Sequence, residues 1–414
     1  MKIINQLIDV LLIGYTIYFF MFVLIGLFTS KNKTEKKPEN KFAVIVPAHN
    51  EEKVISKLLN NLKNLNYPDS LYDIFVVADN CKDNTASIAQ ENQVNVIERF
   101  NSEKKGKGYA LRYAFQKLGF LNKNISDSEY DAVAVFDADN LVKENFLSAM
   151  NTRLKNNEKI IQAYIDSKNA SDNWVTGTFS MMFWINDRYN LLSRYNIGLS
   201  AVLMGTGMCI SVDTLRKTGW DTVTLTEDLE YSVQALGNGI KTTFARETEV
   251  YDEKPTSFMA SCRQRLRWAR GQLSVVYKYV PGLLWKGIKH KSLSMIDGGI
   301  RLFQQPFIMF YTLTTLLRII FPETFYSPLF NSLIENIKSL GYVLPLVPYI
   351  LPSSVYILDD LSFKSYKYVV LFPLFMYSWV IILYYALLTL NNKSWLPTKH
   401  FRNISKEDLS KENI

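Results

Sequence analysis

The sequence predicts an α/β domain with a mostly parallel sheet, joined to α-helical transmembrane segments at both ends. In residues 42–136, short apolar runs alternate with stretches of helical periodicity, a pattern typical of parallel strands linked by helices. Residues 7–28 form an apolar stretch of membrane length in which Asp9 is the one charge. Two further apolar stretches that predict membrane spans follow the domain, at residues 302–321 and 369–390.

The first apolar stretch is predicted to be a retained membrane helix. It is too long for a signal peptide, and no small-residue cleavage site follows it. Four lysines come directly after it, Lys31, Lys33, Lys36 and Lys37. By the positive-inside rule, these lysines place the central region in the cytoplasm. We therefore expect an N-terminal transmembrane helix at residues 1–30, a linker at 31–41 and a cytoplasmic domain at 42–275.

Composition and short motifs argue against several classes of protein. The net charge is +8, but the basic residues cluster beside hydrophobic stretches, so we expect membrane lipids and an anionic substrate as partners and no nucleic acid. Cys81, Cys209 and Cys262 are too widely spaced to indicate a disulfide framework or a zinc site. No G-x-G-x-x-G follows the first strand and no P-loop motif is present, which counts against a dinucleotide enzyme or a P-loop NTPase.

Polar residues follow three of the predicted strands, at the point where each strand ends. Buried strands are predicted at residues 42–47, 74–78, 94–97 and 132–136. Parallel strands present these ends at one edge of the sheet, where ligands bind. The polar clusters are residues 48–52, 79–83 and 137–139. Each cluster taken alone is equally typical of a helix cap or a solvated turn, whereas three at neighbouring strand ends favour a binding site.

Asp137 and Asp139 are candidate metal ligands. They alternate at the end of a strand and can present two hard oxygen ligands to a divalent cation, Mg²⁺ or Mn²⁺, that also binds a diphosphate. Without a cation, two adjacent carboxylates would repel a diphosphate. Lys104, Lys105 and Lys107 add positive charge beside two glycines, although a solvated basic loop is an equal alternative.

The second half of the domain carries an acidic helix start and a mixed aromatic segment. Thr226, Glu227 and Asp228 begin a helix that is predicted to reach Leu236, with Thr226 at the N-cap. Taken alone, this motif is simply a good helix start. Residues 177–197 mix aromatic and charged side chains, which favours an amphipathic helix at the membrane surface or, alternatively, a core helix.

Gln264, Arg267 and Trp268 are spaced to share one face of a helix. The guanidinium of Arg267 can pair with phosphate oxygens, and the indole of Trp268 offers a flat apolar wall. Three further arginines of this helix are expected on the lipid-headgroup side, Arg263, Arg265 and Arg270.

In this order, the motifs resemble those of family 2 glycosyltransferases of the GT-A fold. The motifs are the Pro-Ala-His-Asn-Glu loop at 47–51, the Asp79 turn, Asp137-x-Asp139, Thr226-Glu227-Asp228 and Gln264-x-x-Arg267-Trp268. The likeness covers roughly residues 41–275 and is greatest to the processive membrane branch, which includes cellulose, mixed-linkage β-glucan, hyaluronan and chitin-oligosaccharide synthases.

The resemblance implies a donor site for a UDP-sugar. His49 and Glu51 would line the uridine pocket, and Asp79 would accept a hydrogen bond from the uracil ring. Only one of the two acids of the family's D-D-G turn is present in this sequence. Lys107 would approach the diphosphate. Asp139 would be the principal metal ligand, with Asp137 on the ribose and metal side.

The resemblance also implies an acceptor site and an inverting reaction. Asp228, beside Glu227, would be the general base that deprotonates the acceptor hydroxyl, and Arg267 would assist departure of the diphosphate. The acceptor side would comprise Gln264, Trp268, Thr226 and the bend at Gly205 and Thr206. A single base opposite the leaving group inverts the anomeric centre, so an α-linked donor yields a β-linked product.

The C-terminal region is predicted to lie in and beside the membrane. We expect interfacial helices at residues 276–300, a transmembrane region at 301–390 and a cytoplasmic tail at 391–414. Residues 343–358 are apolar but short and contain three prolines, which indicates a broken or re-entrant helix. Three full spans conflict with a cytoplasmic tail, so the sequence leaves the number of crossings open. Residues 395–400 resemble a motif of hyaluronan-type synthases that covers the nucleotide, or they form a basic anchor.

The sequence therefore predicts a multi-pass plasma-membrane enzyme that extends a β-linked polysaccharide processively and passes it across the membrane. UDP-glucose is the favoured donor and a growing β-glucan, cellulose-like or of mixed β-1,3/1,4 linkage, the favoured acceptor. The alternatives are a polymer of N-acetylglucosamine or hyaluronan-type sugars, a non-processive transfer to a lipid acceptor, and a non-catalytic membrane scaffold or polymer exporter. Donor identity, linkage and oligomeric state are not determined by the sequence.

Overall fold

The computed structural model describes residues 2–28, 33–123, 128–325 and 346–392. The strands are β1 (Phe42–Ala48), β2 (Tyr72–Asp79), β3 (Asn95–Arg99), β4 (Ala132–Val135), β5 (Leu141–Val142), β6 (Ile160–Ser167), β7 (Met208–Ser211) and β8 (Thr242–Asp252). The first helices are α1 (Lys2–Gly26), α2 (Ile55–Leu62), α3 (Thr85–Glu91), α4 (Lys107–Lys117), α5 (Phe146–Lys155), α6 (Trp174–Asn186) and α7 (Ser193–Asn196). The later helices are α8 (Val212–Thr218), α9 (Glu227–Gly237), α10 (Phe258–Lys289), α11 (Leu293–Leu302), α12 (Gln304–Ile320), α13 (Val347–Leu358) and α14 (Phe372–Leu388).

The described strands form one sheet in the order β3-β2-β1-β4-β7-β6-β8-β5. The first four are parallel to one another, and β6 is parallel to β8. Strand β7 runs antiparallel to both β4 and β6, and β5 antiparallel to β8. The four strands predicted from the sequence are β1 to β4. The expected α/β fold is therefore confirmed, with antiparallel strands added beyond β4.

Both faces of the sheet are covered, which explains the continuous apolar runs. In β1, Val44 and Val46 join a cluster that includes side chains of α2 and α5. Ala43 and Ile45, on the opposite face, join a second cluster with side chains of α4 and α9. A strand that is buried on both faces needs apolar residues at every position.

The arrangement of β2, β1 and β4 as neighbours positions the candidate site. All three are parallel, and they end at Asp79, Ala48 and Val135. Their following loops therefore meet at one edge of the sheet, as the sequence predicted.

Two helical segments of the described residues are long and apolar enough to cross a membrane, Ile3–Gly26 and Phe363–Leu388. The second combines a 3₁₀ stretch, Phe363–Leu371, with α14. The span predicted at 302–321 forms α12, which has 17 residues, and α13 contains Pro352. The number of crossings and the multi-pass arrangement stay predictions, and residues 395–400 lie outside the described ranges.

Helix α6 is a core helix and not the surface helix that its composition favoured. Phe179, Met181 and Trp184 are at most 3% exposed. A capping box between Asn173 and Thr176 fixes its start. The aromatic side chains that suggested a membrane surface are used for packing inside the protein.

Candidate active site

The donor side of the site begins where β1 and β2 end side by side. His49 Nδ1 lies 2.6 Å from the carbonyl oxygen of Asp79. A carbonyl oxygen accepts only, so Nδ1 carries the proton and Nε2 is the acceptor, which lies 3.2 Å from Asn50 Nδ2. The structure thus brings His49 and Asp79 together, as predicted.

The side chain of Asp79 is paired with Arg99, a residue that the sequence analysis missed. Arg99 Nη1 lies 2.5 Å from Asp79 Oδ1, and both side chains are buried. Arg99 Nη2 donates to the Lys104 carbonyl oxygen at 2.6 Å. Burial raises the pKa of Asp79, against the opposing effect of Arg99. Arg99 is the last residue of β3, whose end lies at the same edge of the sheet. This position at a strand end could have indicated Arg99 as a candidate site residue.

The loop that carries Glu51 is held by the turn that follows β2. Glu51 N–H donates to Thr85 Oγ1 at 2.9 Å, and Glu52 N–H donates to Asp83 Oδ2 at 3.1 Å. These contacts fix the backbone of the predicted uridine loop. The assignment of His49, Glu51 and Asp79 to a uridine pocket stays a prediction.

Lys107 forms the centre of the site. Its Nζ lies 2.5 Å from Asp137 Oδ1 and 2.8 Å from the Gly205 carbonyl oxygen. Burial lowers the pKa of Lys107, but the carboxylates of Asp137, Glu227 and Asp228 outweigh it, so the net pKa is raised. Lys107 is therefore a cation at neutral pH, placed between the candidate metal ligands and the acidic start of α9.

The loop after β4 holds Asp137 and Asp139 with backbone and side-chain contacts. Asp137 N–H donates to Asn140 Oδ1 at 3.0 Å and to Thr206 Oγ1 at 3.1 Å. Asp139 Oδ2 accepts from Glu253 N–H at 3.2 Å. Thr206 was predicted to contact the acceptor. Its buried hydroxyl accepts from the Asp137 backbone and so supports this loop, and the contact with the acceptor stays a prediction.

The oxygen ligands in this loop fit a divalent cation shared with a diphosphate. Mg²⁺ is usually bound by one or two carboxylates plus substrate phosphates, and Asp137 and Asp139 supply two carboxylates. Asp252, at the end of β8, is a third acid near this loop: burial raises its pKa, against the opposing effect of Lys254, whose Nζ lies 2.6 Å from Asp252 Oδ1. Among the described residues no group of three or more His, Cys, Asp or Glu side chains is arranged to hold a metal by itself.

The acidic start of α9 faces Lys107 across Gly205. An added Cβ at Gly205 would lie 3.3 Å from Asp228 Oδ2 and 3.8 Å from Lys107 Nζ. The residue also has a φ of +90°, which favours glycine. Any side chain here would occupy the space between the two charged groups. Space and backbone conformation thus both favour glycine at this bend, and its predicted contact with the acceptor stays a prediction.

The two acids of α9 are electrostatically coupled. Burial, followed by the charge of the neighbouring Asp228, raises the pKa of Glu227 to about 7, against the opposing effects of Lys107 and Arg267. Burial also raises the pKa of Asp228, again opposed by Lys107 and Arg267. Two adjacent acids in a buried site with raised pKa values are typical of acid–base chemistry.

Thr226 occupies the predicted N-cap position but does not cap the helix with its side chain. Its Oγ1 is buried without a hydrogen-bond partner among the described residues. A Cβ at Gly271 would lie 2.6 Å from Thr226 Cγ2. Close packing of α9 against α10 therefore explains this threonine better than capping does.

Helix α10 carries Arg267 and Trp268, and the charge of Arg267 opposes the rise in the pKa values of Glu227 and Asp228. The Trp268 ring lies 5.7 Å from that of Phe179 and 5.9 Å from that of Phe183. Lys254, which the sequence analysis also missed, lies 3.4 Å above the Phe183 ring. Gln264 Oε1 is buried and has no hydrogen-bond partner among the described residues. The three residues of the predicted face lie on one helix, but Trp268 is set in an aromatic cluster.

The prediction that Arg265 and Arg270 face lipid headgroups is wrong. Arg265 is fully buried, and its Nη1 donates to Ser378 Oγ at 2.8 Å. Arg270 Nη2 donates to Thr389 Oγ1 at 2.8 Å. Both arginines join α10 to α14 and the residue that follows it. Arg263 is exposed. The sequence shows that these residues are charged, but it does not show that α14 packs over them.

The arrangement of these residues agrees with the similarity of this sequence to known proteins. Residues 38–271 match the family described as glycosyltransferase like family 2, and the chain belongs to this family. A probable glycosyltransferase of Bacillus subtilis (strain 168), YdaM, is 29% identical over 287 residues, which are 65% of this chain and 66% of the relative. The β-monoglucosyldiacylglycerol synthase of Trichormus variabilis is 30% identical over 241 residues, 55% of this chain and 48% of that protein.

A solved structure has a similar fold. The mannosyltransferase of Pyrobaculum calidifontis, in complex with GDP-Man and Mn²⁺, matches with a TM-score of 0.52 and 15% identity, and covers 78% of this chain and 93% of that one. This likeness concerns the fold alone. The chain spans 66% and 48% of the lengths of the two curated relatives. The family and its members identify the chain as a glycosyltransferase, whereas donor, acceptor and product are not determined by them.

Proposed function

We propose that this glycosyltransferase transfers a hexose from a UDP-sugar, with UDP-glucose favoured, and inverts the anomeric centre. One observation carries the proposal. The Asp228 carboxylate and the Lys107 ammonium meet at Gly205, where a single added carbon would lie 3.3 Å from one and 3.8 Å from the other. A base and a cation suited to a leaving diphosphate thus face the same small space.

In the proposed reaction, Asp228 takes the proton from the acceptor hydroxyl as that oxygen bonds to the anomeric carbon. The bond between the anomeric carbon and the diphosphate oxygen breaks on the opposite face, and the leaving group takes the electron pair. Lys107 and Arg267 oppose the rise in the pKa of Asp228, which keeps its base form accessible. Arg267 supplies positive charge on the side of α10.

Asp137 and Asp139 would hold a Mg²⁺ or Mn²⁺ ion together with the donor diphosphate. When bound, the ion supplies positive charge that offsets the charge of the diphosphate. The mannosyltransferase of similar fold is described in complex with GDP-Man and Mn²⁺, which supports a nucleotide-sugar donor and a divalent cation here.

We further propose that the product is a β-linked polysaccharide, extended processively and passed across the plasma membrane. The support is Trp268, which is partly exposed and is held in place by the buried rings of Phe179 and Phe183, so that a sugar unit of the acceptor can rest on its accessible part. Helix α10 is joined through Arg265 to the candidate span that includes α14. An acceptor on this side would therefore lie beside a membrane segment.

A second candidate is the transfer of a single hexose to a lipid. Its support is the 30% identity to a β-monoglucosyldiacylglycerol synthase. The same contact between α10 and α14 suits a lipid acceptor, because it brings the acceptor side next to an apolar helix. A non-catalytic scaffold is a weaker alternative, because it gives no reason for two adjacent acids with raised pKa values beside a partly buried lysine.

The test uses the purified full-length protein in lipid nanodiscs with Mg²⁺ or Mn²⁺. Each common UDP-sugar is supplied separately, and UDP release is measured. We expect release with UDP-glucose and a ladder of products that a β-glucanase degrades. A single organic-soluble product would favour the lipid acceptor. Absence of UDP release with every UDP-sugar would overturn the proposed activity.

A further inference from the structure

A second cavity lies outside the candidate active site. Its volume is about 240 Å³, and it is formed by β6, β8, α6 and the turn that precedes Phe363–Leu388. Its lining is mainly polar and includes Tyr164, Asp166, Trp184, Arg246, Glu249 and Asp359. The volume is below the roughly 300 Å³ at which sites for drug-sized ligands begin, so the cavity suits a ligand of about one sugar ring.

Two buried polar atoms at this cavity have no hydrogen-bond partner among the described residues, Tyr164 Oη and Asp359 Oδ2. Tyr164 is 5% exposed, and the side chain of Asp359 is 1% exposed. Buried polar groups are normally satisfied, and a group that is left unpaired is costly. One hydroxyl and one carboxylate oxygen at the wall of the cavity therefore lack a partner, which a small side-chain shift toward a bound ligand would supply.

The charges around the cavity are already balanced. Asp359 Oδ1 lies 2.6 Å from Arg188 Nη1 and 2.6 Å from Arg246 Nη2. Glu249 accepts from Lys143 Nζ at 2.8 Å and from Tyr251 Oη at 2.6 Å. A strongly charged ligand would meet no excess of opposite charge, so a neutral ligand fits best.

Asp166 adds a group that can both donate and accept. Its Oδ1 accepts from Trp184 Nε1 at 2.8 Å. Burial, followed by the charge of Glu249, raises the pKa of Asp166 to about 7, so near neutral pH both its acid and its carboxylate forms are present. Alternating donors and acceptors beside an indole are suited to the hydroxyl groups and apolar face of a sugar.

We propose that this cavity binds one neutral hexosyl unit, separately from the acceptor hydroxyl that reacts at Asp228. The unit comes either from a free saccharide or from the headgroup of a glycolipid. Asp359 directly precedes the candidate membrane span Phe363–Leu388, so a headgroup in the cavity would be close to the membrane face. The proposal concerns binding and does not depend on the proposed reaction.

The test measures saccharide binding by the full-length protein without any nucleotide-sugar. Methyl β-D-glucopyranoside is titrated in detergent micelles, and β-glucosyl diacylglycerol is supplied in nanodiscs as a second arm. We expect Tyr164→Phe to weaken binding about fivefold by removing one hydrogen bond. The same change should not lower the melting temperature, because the hydroxyl has no partner in the free protein.

Tyr67→Phe is the matched control, because its hydroxyl donates to the Asn40 carbonyl oxygen and lies outside this cavity. It should lower the melting temperature and leave binding unchanged. Trp268→Ala should also retain binding, which separates this cavity from the acceptor side of the active site. Binding in one arm alone supports the proposal and identifies the source of the sugar.

Three results would overturn the proposal. The first is no binding in either arm, which would mean that the cavity holds only water. The second is wild-type affinity in Tyr164→Phe. The third is loss of binding in Trp268→Ala, which would assign the saccharide to the active site. UDP release by the wild-type protein, measured separately, is unaffected by these results, so this proposal and the proposed function fail independently.

Discussion

The donor side and the acceptor side of the active site are built in different ways. The proposed donor-side residues lie at the ends of neighbouring parallel strands: Asp79 ends β2, and His49 and Asp137 lie on the loops that follow β1 and β4. On the acceptor side, Arg267 and Trp268 lie on α10, which packs against aromatic rings of α6 and is hydrogen-bonded to α14. Loops at strand ends can change without disturbing the sheet, whereas a packed helix cannot move without its neighbours. Donor-side substitutions should thus affect ligand binding, and acceptor-side substitutions should also affect stability.

The largest effect is expected at the junction of the two sides. Asp228→Asn removes the proposed base while keeping the size of the side chain. We expect turnover to fall by about 10²- to 10⁴-fold, the usual contribution of general acid–base catalysis, with binding of UDP-glucose retained. Steady-state UDP release and calorimetric donor binding are the measurements.

The control for this change is Asp221→Asn, because Asp221 is an exposed acid that pairs with Arg112 on the surface. It should leave turnover unchanged. If Asp228→Asn retained turnover within about a factor of two of the control, Asp228 could not be the base.

Lys107→Met should weaken the donor side itself. The change removes a partly buried cation that contacts Asp137 and the Gly205 carbonyl, so two carboxylates would meet the diphosphate with less compensation. We expect affinity for UDP-glucose in the presence of Mg²⁺ to fall about 10- to 100-fold, as for loss of a charged hydrogen bond. Lys105→Met, in the exposed part of the same loop, is the control. Equal affinities of the two variants would contradict the assigned position of Lys107.

Arg265→Met should act on the acceptor side through stability. Its guanidinium contacts Ser378 Oγ and lies 4.1 Å from the Phe375 ring centre. We expect the free energy of unfolding to fall by about 1.5–3 kcal/mol and the melting temperature to fall by a few degrees. Turnover should fall less than in Asp228→Asn. The control is Arg263→Met, two positions earlier and exposed. An unchanged melting temperature would show that the contact between α10 and α14 contributes little.

The smallest effect concerns the pH dependence of stability. The pKa of Glu227 is raised from 4.5 to about 7, so the folded protein binds more protons than the unfolded chain between these values. Stability from this group is therefore lost as the pH rises from about 4.5 to about 7. Glu227→Gln should show a flatter dependence of melting temperature on pH than Glu91→Gln, an exposed control. If the melting temperatures of the two variants depended on pH in the same way, the pKa of Glu227 would not be raised.

The donor side was largely predictable from the sequence. An apolar run on both faces of a strand is a local pattern, and the polar residues that follow it are adjacent in the chain. Asp137 and Asp139 could thus be placed at a strand end. Arg99 was missed, because its pairing with Asp79 depends on β3 lying beside β2, a contact between separate strands.

The acceptor side was less predictable, because packing between distant segments decides it. Arg265 has the sequence context of a membrane-surface arginine, but Phe375 and Ser378, more than a hundred residues later, bury it. Thr226 looks like a helix cap, but close packing against Gly271 determines its environment. Neither outcome is encoded in local spacing.

The most direct test of the account is the configuration of the first linkage formed. The full-length protein is incubated with ¹³C-labelled UDP-glucose, whose anomeric bond is α, and the product of early turnover is examined by NMR of the anomeric carbon and proton. Because Asp228 and Lys107 face one space across Gly205, the account requires attack opposite the leaving diphosphate and predicts a β-linked product. An α-linked product would contradict it.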